Sequence, residues 1–198
     1  MQTKIATWWA GLLLAMAMVA TPVLAESGPV VKVETSLGEI LVELNPDRAP
    51  ISVDNFLKYV DAGFYNGTIF HRVIEGFMIQ GGGYTSSLKS KKAYAAIELE
   101  SRNGLKNEKY TVSMARTPDP NSATSQFFIN VVDNPRLDYP DPDGHGYAVF
   151  GRVVAGFETV DKITGVKTLT RGGMADVPSD TVLIREIVRQ GGESRTKD

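Results

Sequence analysis

Apolar and polar residues alternate in short runs along most of the chain, and the period changes at only a few places. Val30-Val31-Lys32-Val33-Glu34-Thr35 and Glu39-Ile40-Leu41-Val42-Glu43-Leu44 are rich in β-branched residues. They flank Ser36-Leu37-Gly38, which predicts a hairpin. The period then shifts. Val53, Phe56, Leu57 and Val60 recur at helical spacing behind Pro50, which is tolerated in a first turn, and Gly63 stops the run. Beyond Thr68 the strand pattern returns over Ile69 to Ile74. A Glu75-Gly76 turn and the run Phe77 to Gln80 follow, and Gly81-Gly82-Gly83 ends the region. Further strands are predicted over Tyr110–Ala115, Ser125–Val131, Tyr147–Val154 and Thr181–Val188, with a short helix over Phe157–Ile163. Ser86–Ala93, Thr117–Thr124 and Asn134–Gly146 read as loops, and the tail after Gln190 as frayed. Many short strands with two helices predict an antiparallel barrel or sandwich. Neither a linker nor a repeat interrupts residues 26–198, so they form one domain.

The first 25 residues follow a different pattern. Lys4 is their only charge, an apolar run through Leu12-Leu13-Leu14 and Met16 to Val19 follows, and Pro22 ends it. Val23-Leu24-Ala25 offers a cleavage point before the polar Glu26-Ser27-Gly28. This is the order of a secretory signal peptide, with cleavage expected after Ala25; the competing reading is an uncleaved anchor.

Composition narrows the chemistry. The net charge is −2 over 198 residues, which speaks against electrostatically driven nucleic-acid binding. Lys89, Lys91 and Lys92 cluster without interleaved aromatics and read as a solvated loop. There is no cysteine, so disulfides, thiolate metal sites and thiol nucleophiles are excluded. The two histidines, His71 and His145, lie outside any metal-ligand spacing, and neither metal nor cofactor is expected. His71 reads as a hydrogen-bonded turn or core histidine, and His145 as exposed. Gly81-Gly82-Gly83 lacks the spacing of a nucleotide loop. Asp141-Pro142-Asp143-Gly144 fails at both ends of a calcium loop and reads as an acidic turn.

Two long segments remain. One is Phe70-His71-Arg72-Val73-Ile74-Glu75-Gly76-Phe77-Met78-Ile79-Gln80-Gly81-Gly82. The other is Ser113-Met114-Ala115-Arg116 followed by Ser125-Gln126-Phe127-Phe128-Ile129. Both resemble the signatures of the cyclophilin family of peptidyl-prolyl cis–trans isomerases. The likeness extends to Gly146-Tyr147-Ala148-Val149-Phe150-Gly151-Arg152-Val153 and to the helix around Asn55-Phe56, and it covers nearly all of residues 26–198. It is nearest to the short periplasmic cyclophilins of Gram-negative bacteria.

The resemblance implies a closed antiparallel eight-stranded barrel capped by two helices, acting as an isomerase on exported polypeptides in the periplasm. It implies that Arg72 is catalytic. It implies that Phe77, Met78, Phe128 and Leu137 take the proline ring, and that Gln80 and Gln126 lie near the substrate backbone. Ala115 and Arg116 would pair with the peptide through their backbone, and Phe127 would turn into the core. Arg136 and Tyr147 stand where many eukaryotic members carry tryptophan and histidine, so weak cyclosporin binding is expected. Partners would be proline-containing unfolded or partly folded polypeptides, with no nucleic acid, no membrane after signal cleavage, and a monomer in solution. The alternative is a proline-peptide binding module or holdase with incidental catalysis.

The residue types suit that chemistry. Rotation about a peptide bond faces a barrier of ~18–20 kcal/mol, and no bond has to break. The twisted state frees a lone pair on the prolyl nitrogen. An always-charged, planar, multidentate guanidinium is a suitable donor to it, and an apolar surround strengthens such preorganised electrostatics.

Overall fold

The computed structural model describes residues 28–191. The expected signal peptide with its cleavage point, and the tail beyond Gly191, lie outside the described residues. In chain order the elements are β1 (Val30–Thr35), β2 (Gly38–Leu44), α1 (Pro50–Asp61), β3 (Thr68–Ile74), β4 (Met78–Thr85), β5 (Thr111–Met114) and β6 (Phe127–Asn130). A single 3-10 turn (Pro135–Leu137) precedes β7 (Val149–Ala155), α2 (Phe157–Thr164), β8 (Thr168–Arg171), β9 (Met174–Pro178) and β10 (Val182–Arg189).

Eight strands close into an antiparallel barrel in the order β1-β10-β3-β4-β6-β5-β7-β2. Of the two architectures the pattern allowed, this is the barrel. The reason is that β1 pairs on both edges, with β2 through Val33↔Ile40 and with β10 through Val33↔Ile187. Closure removes the unpaired edges that an open sheet would expose. Alternate residues Val31, Val33, Ile40, Val42 and Leu44 point inward and are buried.

The apolar face of α1 supplies Val53, Phe56, Leu57 and Val60, as the spacing predicted. Phe56 sits among Tyr65, Phe127 and Phe150 with ring centroids 5.2, 5.5 and 5.2 Å away. Truncating such a ring costs about 3–5 kcal/mol. Ala49, before α1, provides no side-chain cap. Glu100 caps the helix from a distant loop instead. Its carboxylate accepts from the backbone N–H groups of Ile51 (3.0 Å) and Ser52 (2.7 Å) and from Ser52 Oγ (2.7 Å). A negative charge there also complements the helix dipole.

Three readings need correction. The glycine run does not end a strand: β4 continues through it to Thr85. A Cβ on Gly83 would lie 2.6 Å from Gln126 Cγ, and one on Gly82 (φ +83) would lie 2.9 Å from the carbonyl of Ser125. The glycines therefore allow close strand contact rather than a turn. Second, Lys91 is not simply solvated. Its ammonium lies 4.7 Å from the Phe64 ring centroid and donates to the carbonyl of Phe64, which ties the loop down. Third, the β8–β9 hairpin was not anticipated, although Gly172-Gly173 between its strands is a turn signal. Among the described residues, no helix is long and apolar enough to cross a membrane.

Candidate active site

Cross-strand partners in an antiparallel sheet share a face. Arg72 on β3 is opposite Gln80 on β4, Gln80 is opposite Phe128 on β6, and Phe128 is opposite Ser113 on β5. These four residues form a row across the outer face of the barrel. One step along, Val73, Ile79, Ile129 and Val112 are likewise paired and belong to the contiguous core. The alternation of Phe127 and Phe128 is thereby settled: Phe127 packs inside, while Phe128 faces outward. Met78 and Phe128 are nonetheless only 2% and 4% exposed, and neither joins the central cluster. They form a separate apolar floor on the outside of the barrel wall.

Loops build walls around that floor. Tyr147 stands edge-on to Phe128, with centroids 5.7 Å apart and planes at 79°. Its N–H donates to the carbonyl of Leu137 (2.8 Å), which joins the 3-10 turn to the same wall. Asn134 Nδ2 donates to the carbonyl of Phe77 (2.9 Å) and to Asn130 Oδ1 (2.7 Å), setting the half-buried Phe77 beside the turn. Under this wall Ser113 Oγ donates to Asn107 Oδ1 (2.8 Å), and Asp138 Oδ1 accepts from the Asn107 N–H (2.7 Å) and Nδ2 (3.0 Å). Asn107 and Asp138 thus satisfy buried polar groups beneath the site. Neither stood out in the sequence, because their partners are distant in the chain.

The polar side of the row is also assembled. Gln80 Nε2 donates to Gln126 Oε1 (2.9 Å), and Gln126 lies against the bare backbone of Gly83. Ala115 donates its N–H to the carbonyl of Gln126 (3.0 Å), leaving its carbonyl as the group it can offer.

The Arg116 side chain takes a role the sequence did not reveal. It is 1% exposed. Its Nε and Nη2 donate to the carbonyl of Gly146 (3.0 and 2.8 Å), Nη2 also to Asp143 Oδ1 (2.8 Å), and Nη1 to the carbonyl of Thr117 (3.0 Å). The guanidinium carbon lies 4.5 Å from the Tyr147 ring centroid. Arg116 therefore holds the Asp143–Tyr147 segment in place. Burial alone would raise the Asp143 carboxyl, but the hydrogen bonds from Arg116 and from the His145 N–H, with the guanidinium charge, hold it below its usual value.

Arg72 is different: its side chain is 43% exposed, and its Nε lies 3.7 Å from Asp176 Oδ2. The preceding His71 is buried on β3, not in a turn, with its ring 4.6 Å from that of Tyr84. It is a core histidine, one of the two settings expected for it, and its Nδ1 has no close hydrogen-bond partner among the described residues. Burial, then the Arg72 charge, push its pKa down to about 4, so it is neutral at pH 7. His145 is exposed, as read.

A small apolar floor thus lies beside an amide pair and an open guanidinium on one face of the barrel. The family model of the cyclophilin-type peptidyl-prolyl cis-trans isomerases matches residues 30–189. The chain belongs to that family and is a peptidyl-prolyl cis–trans isomerase. It is 56% identical over 156 residues to peptidyl-prolyl cis-trans isomerase cyp18 of Streptomyces antibioticus, covering 78% of this chain and 94% of that one. It is 51% identical over 155 residues to peptidyl-prolyl cis-trans isomerase B of Escherichia coli K12, covering 77% and 94%. A crystal structure of a Cryptosporidium parvum cyclophilin type isomerase, obtained in the presence of the dipeptide Ala-Pro, superposes with a TM-score of 0.68 at 29% identity. The match covers 82% of this chain and 99% of that one.

Proposed function

We propose that Arg72 is the catalytic donor and that the substrate proline ring rests on Met78 and Phe128 between Phe77, Leu137 and Tyr147. The observation that carries this reading is the register row. It puts an open guanidinium, an amide pair and an apolar floor on one face of three adjacent strands. Gln80 and Gln126 orient the peptide backbone, and the Ala115–Arg116 segment pairs with it. As the X–Pro bond twists, the prolyl nitrogen becomes pyramidal and accepts from the guanidinium. Arg72 is open to water before substrate arrives, so the bound peptide itself desolvates the interaction and strengthens it. The step needs no nucleophile.

The substrates in this reading are exported polypeptides in the periplasm, reached through a signal peptide cleaved after Ala25. The support is the Lys4, apolar-run and Val23-Leu24-Ala25 order. The mature protein acts as a monomer free of the membrane and of nucleic acid. It binds cyclosporin weakly, because Arg136 and Tyr147 form the rim. A protease-coupled assay on an Ala-Pro peptide tests the assignment. Arg72→Ala should lose about 10²–10³-fold in kcat, and an unchanged rate would overturn it. N-terminal sequencing of the exported protein should begin at Glu26; a start at Met1 would contradict export with cleavage.

A further inference from the structure

The β8–β9 hairpin contains an irregularity that points at Arg72. Leu169 pairs with Val177 and Arg171 with Met174. Thr170 therefore faces two residues, Ala175 and Asp176, which is a β-bulge. Asp176 has φ +60, the left-handed region that a residue with a Cβ adopts at a cost and that Asp tolerates better than most. The next residue, Val177, is fully buried, and β9 packs against β3. Bulges beside functional sites re-aim a side chain out of the strand alternation. Here the re-aimed side chain is a carboxylate, and its Oδ2 lies 3.7 Å from Arg72 Nε.

We propose that Asp176 is a positioning residue for the Arg72 guanidinium. It engages the Nε edge and leaves the Nη groups for the prolyl nitrogen. An arginine on a partly exposed strand samples many rotamers, and a fixed counter-charge restricts them before the substrate binds. That reduces the ordering left to the transition state. The carboxylate is anchored by a buried neighbour and a strained backbone, so it is the more rigid partner of the pair. This inference rests on Arg72 as the donor.

Kinetics on the Ala-Pro peptide with Asp176→Asn, Asp176→Gly and Asp176→Glu, alongside thermal unfolding, test it. The Asn and Gly variants should lose about two- to fivefold in kcat, the range of a partly exposed ion pair, with KM unchanged. Glu should restore part of the loss. Glycine suits φ +60, so Asp176→Gly should melt no lower than the parent while still losing activity. In an Arg72→Ala background, Asp176→Asn should have no further effect. Full activity in Asp176→Gly, a loss confined to KM, or an equal loss in the Arg72→Ala background would each overturn the proposal. Full activity in Arg72→Ala alone would instead overturn the reading of Arg72 on which it rests.

Discussion

Arg72 and Arg116 both lie in the two segments that carry the family resemblance, yet they are used in opposite ways. Arg116 is 1% exposed at its side chain and donates to Gly146, Thr117 and Asp143 while lying against Tyr147. Arg72 is 43% exposed and has one distant counter-charge. A guanidinium with its donors spent holds a wall together. One with donors to spare can respond to a group that becomes basic during a reaction. The residue type is the same, and the supply of acceptors around it decides its role.

The sharpest way to break this contrast is to truncate both side chains. Arg72→Ala should cost about 10²–10³ in kcat, with a melting temperature close to that of the parent, because the side chain is half in water. A large drop in melting temperature would make Arg72 structural after all.

The neighbour of Arg72 supplies the next largest effect. His71 has a folded pKa lowered from 6.5 to about 4, so between those values the unfolded chain binds the extra proton. Stability is therefore full above pH 6.5, falls as pH drops towards 4, and levels off below. The total loss is about 3 kcal/mol, at ~1.4 kcal/mol per pKa unit. Denaturant melts across that window should show it, and His71→Phe should remove most of the slope. Arg72→Ala should also raise the His71 pKa part of the way back, as read by NMR titration, because burial is the larger cause.

Arg116→Ala should destabilise by about 2–3 kcal/mol, since it strands a buried carbonyl and an acidic partner. Its kinetic effect should appear mainly in KM, through a loosened Tyr147 wall. Loss of kcat with normal KM would erase the distinction between the two arginines. Asp143→Asn, which weakens only one of the contacts of Arg116, should cost less than about 1 kcal/mol. Glu100→Gln serves as a control away from both: about 1 kcal/mol of stability through the α1 cap, with activity retained.

Local patterns were legible wherever a single element decides burial. The helical spacing of Val53, Phe56, Leu57 and Val60 placed α1. The resemblance gave Phe128 to the site, and the two-residue period of β6 then turned Phe127 into the core, where it packs. Patterns failed where a partner comes from elsewhere in the chain. Glu100 caps a helix about fifty residues away and looks, in sequence, like any loop acid. Lys91 looked solvated, yet it seals the Phe64 turn. In the short β8–β9 hairpin β8 is largely exposed and a bulge interrupts the alternation of β9, so the segment gave little periodic signal.

By itself, the sequence determined the types of the barrel strands and the two helices, and the two segments that carry the isomerase resemblance. These depend on periods of two and of about 3.6 residues and on motif identity, all properties of neighbours along the chain. Only the tertiary structure decided that β1 closes the barrel onto β10, that Arg72 shares a face with Gln80 and Phe128, and that the donors of Arg116 are spent while Arg72 meets a single carboxylate at 3.7 Å. Those outcomes depend on which distant acceptors come within hydrogen-bonding reach. Strand register and loop packing set that distance, and the order of residues in one segment does not encode it.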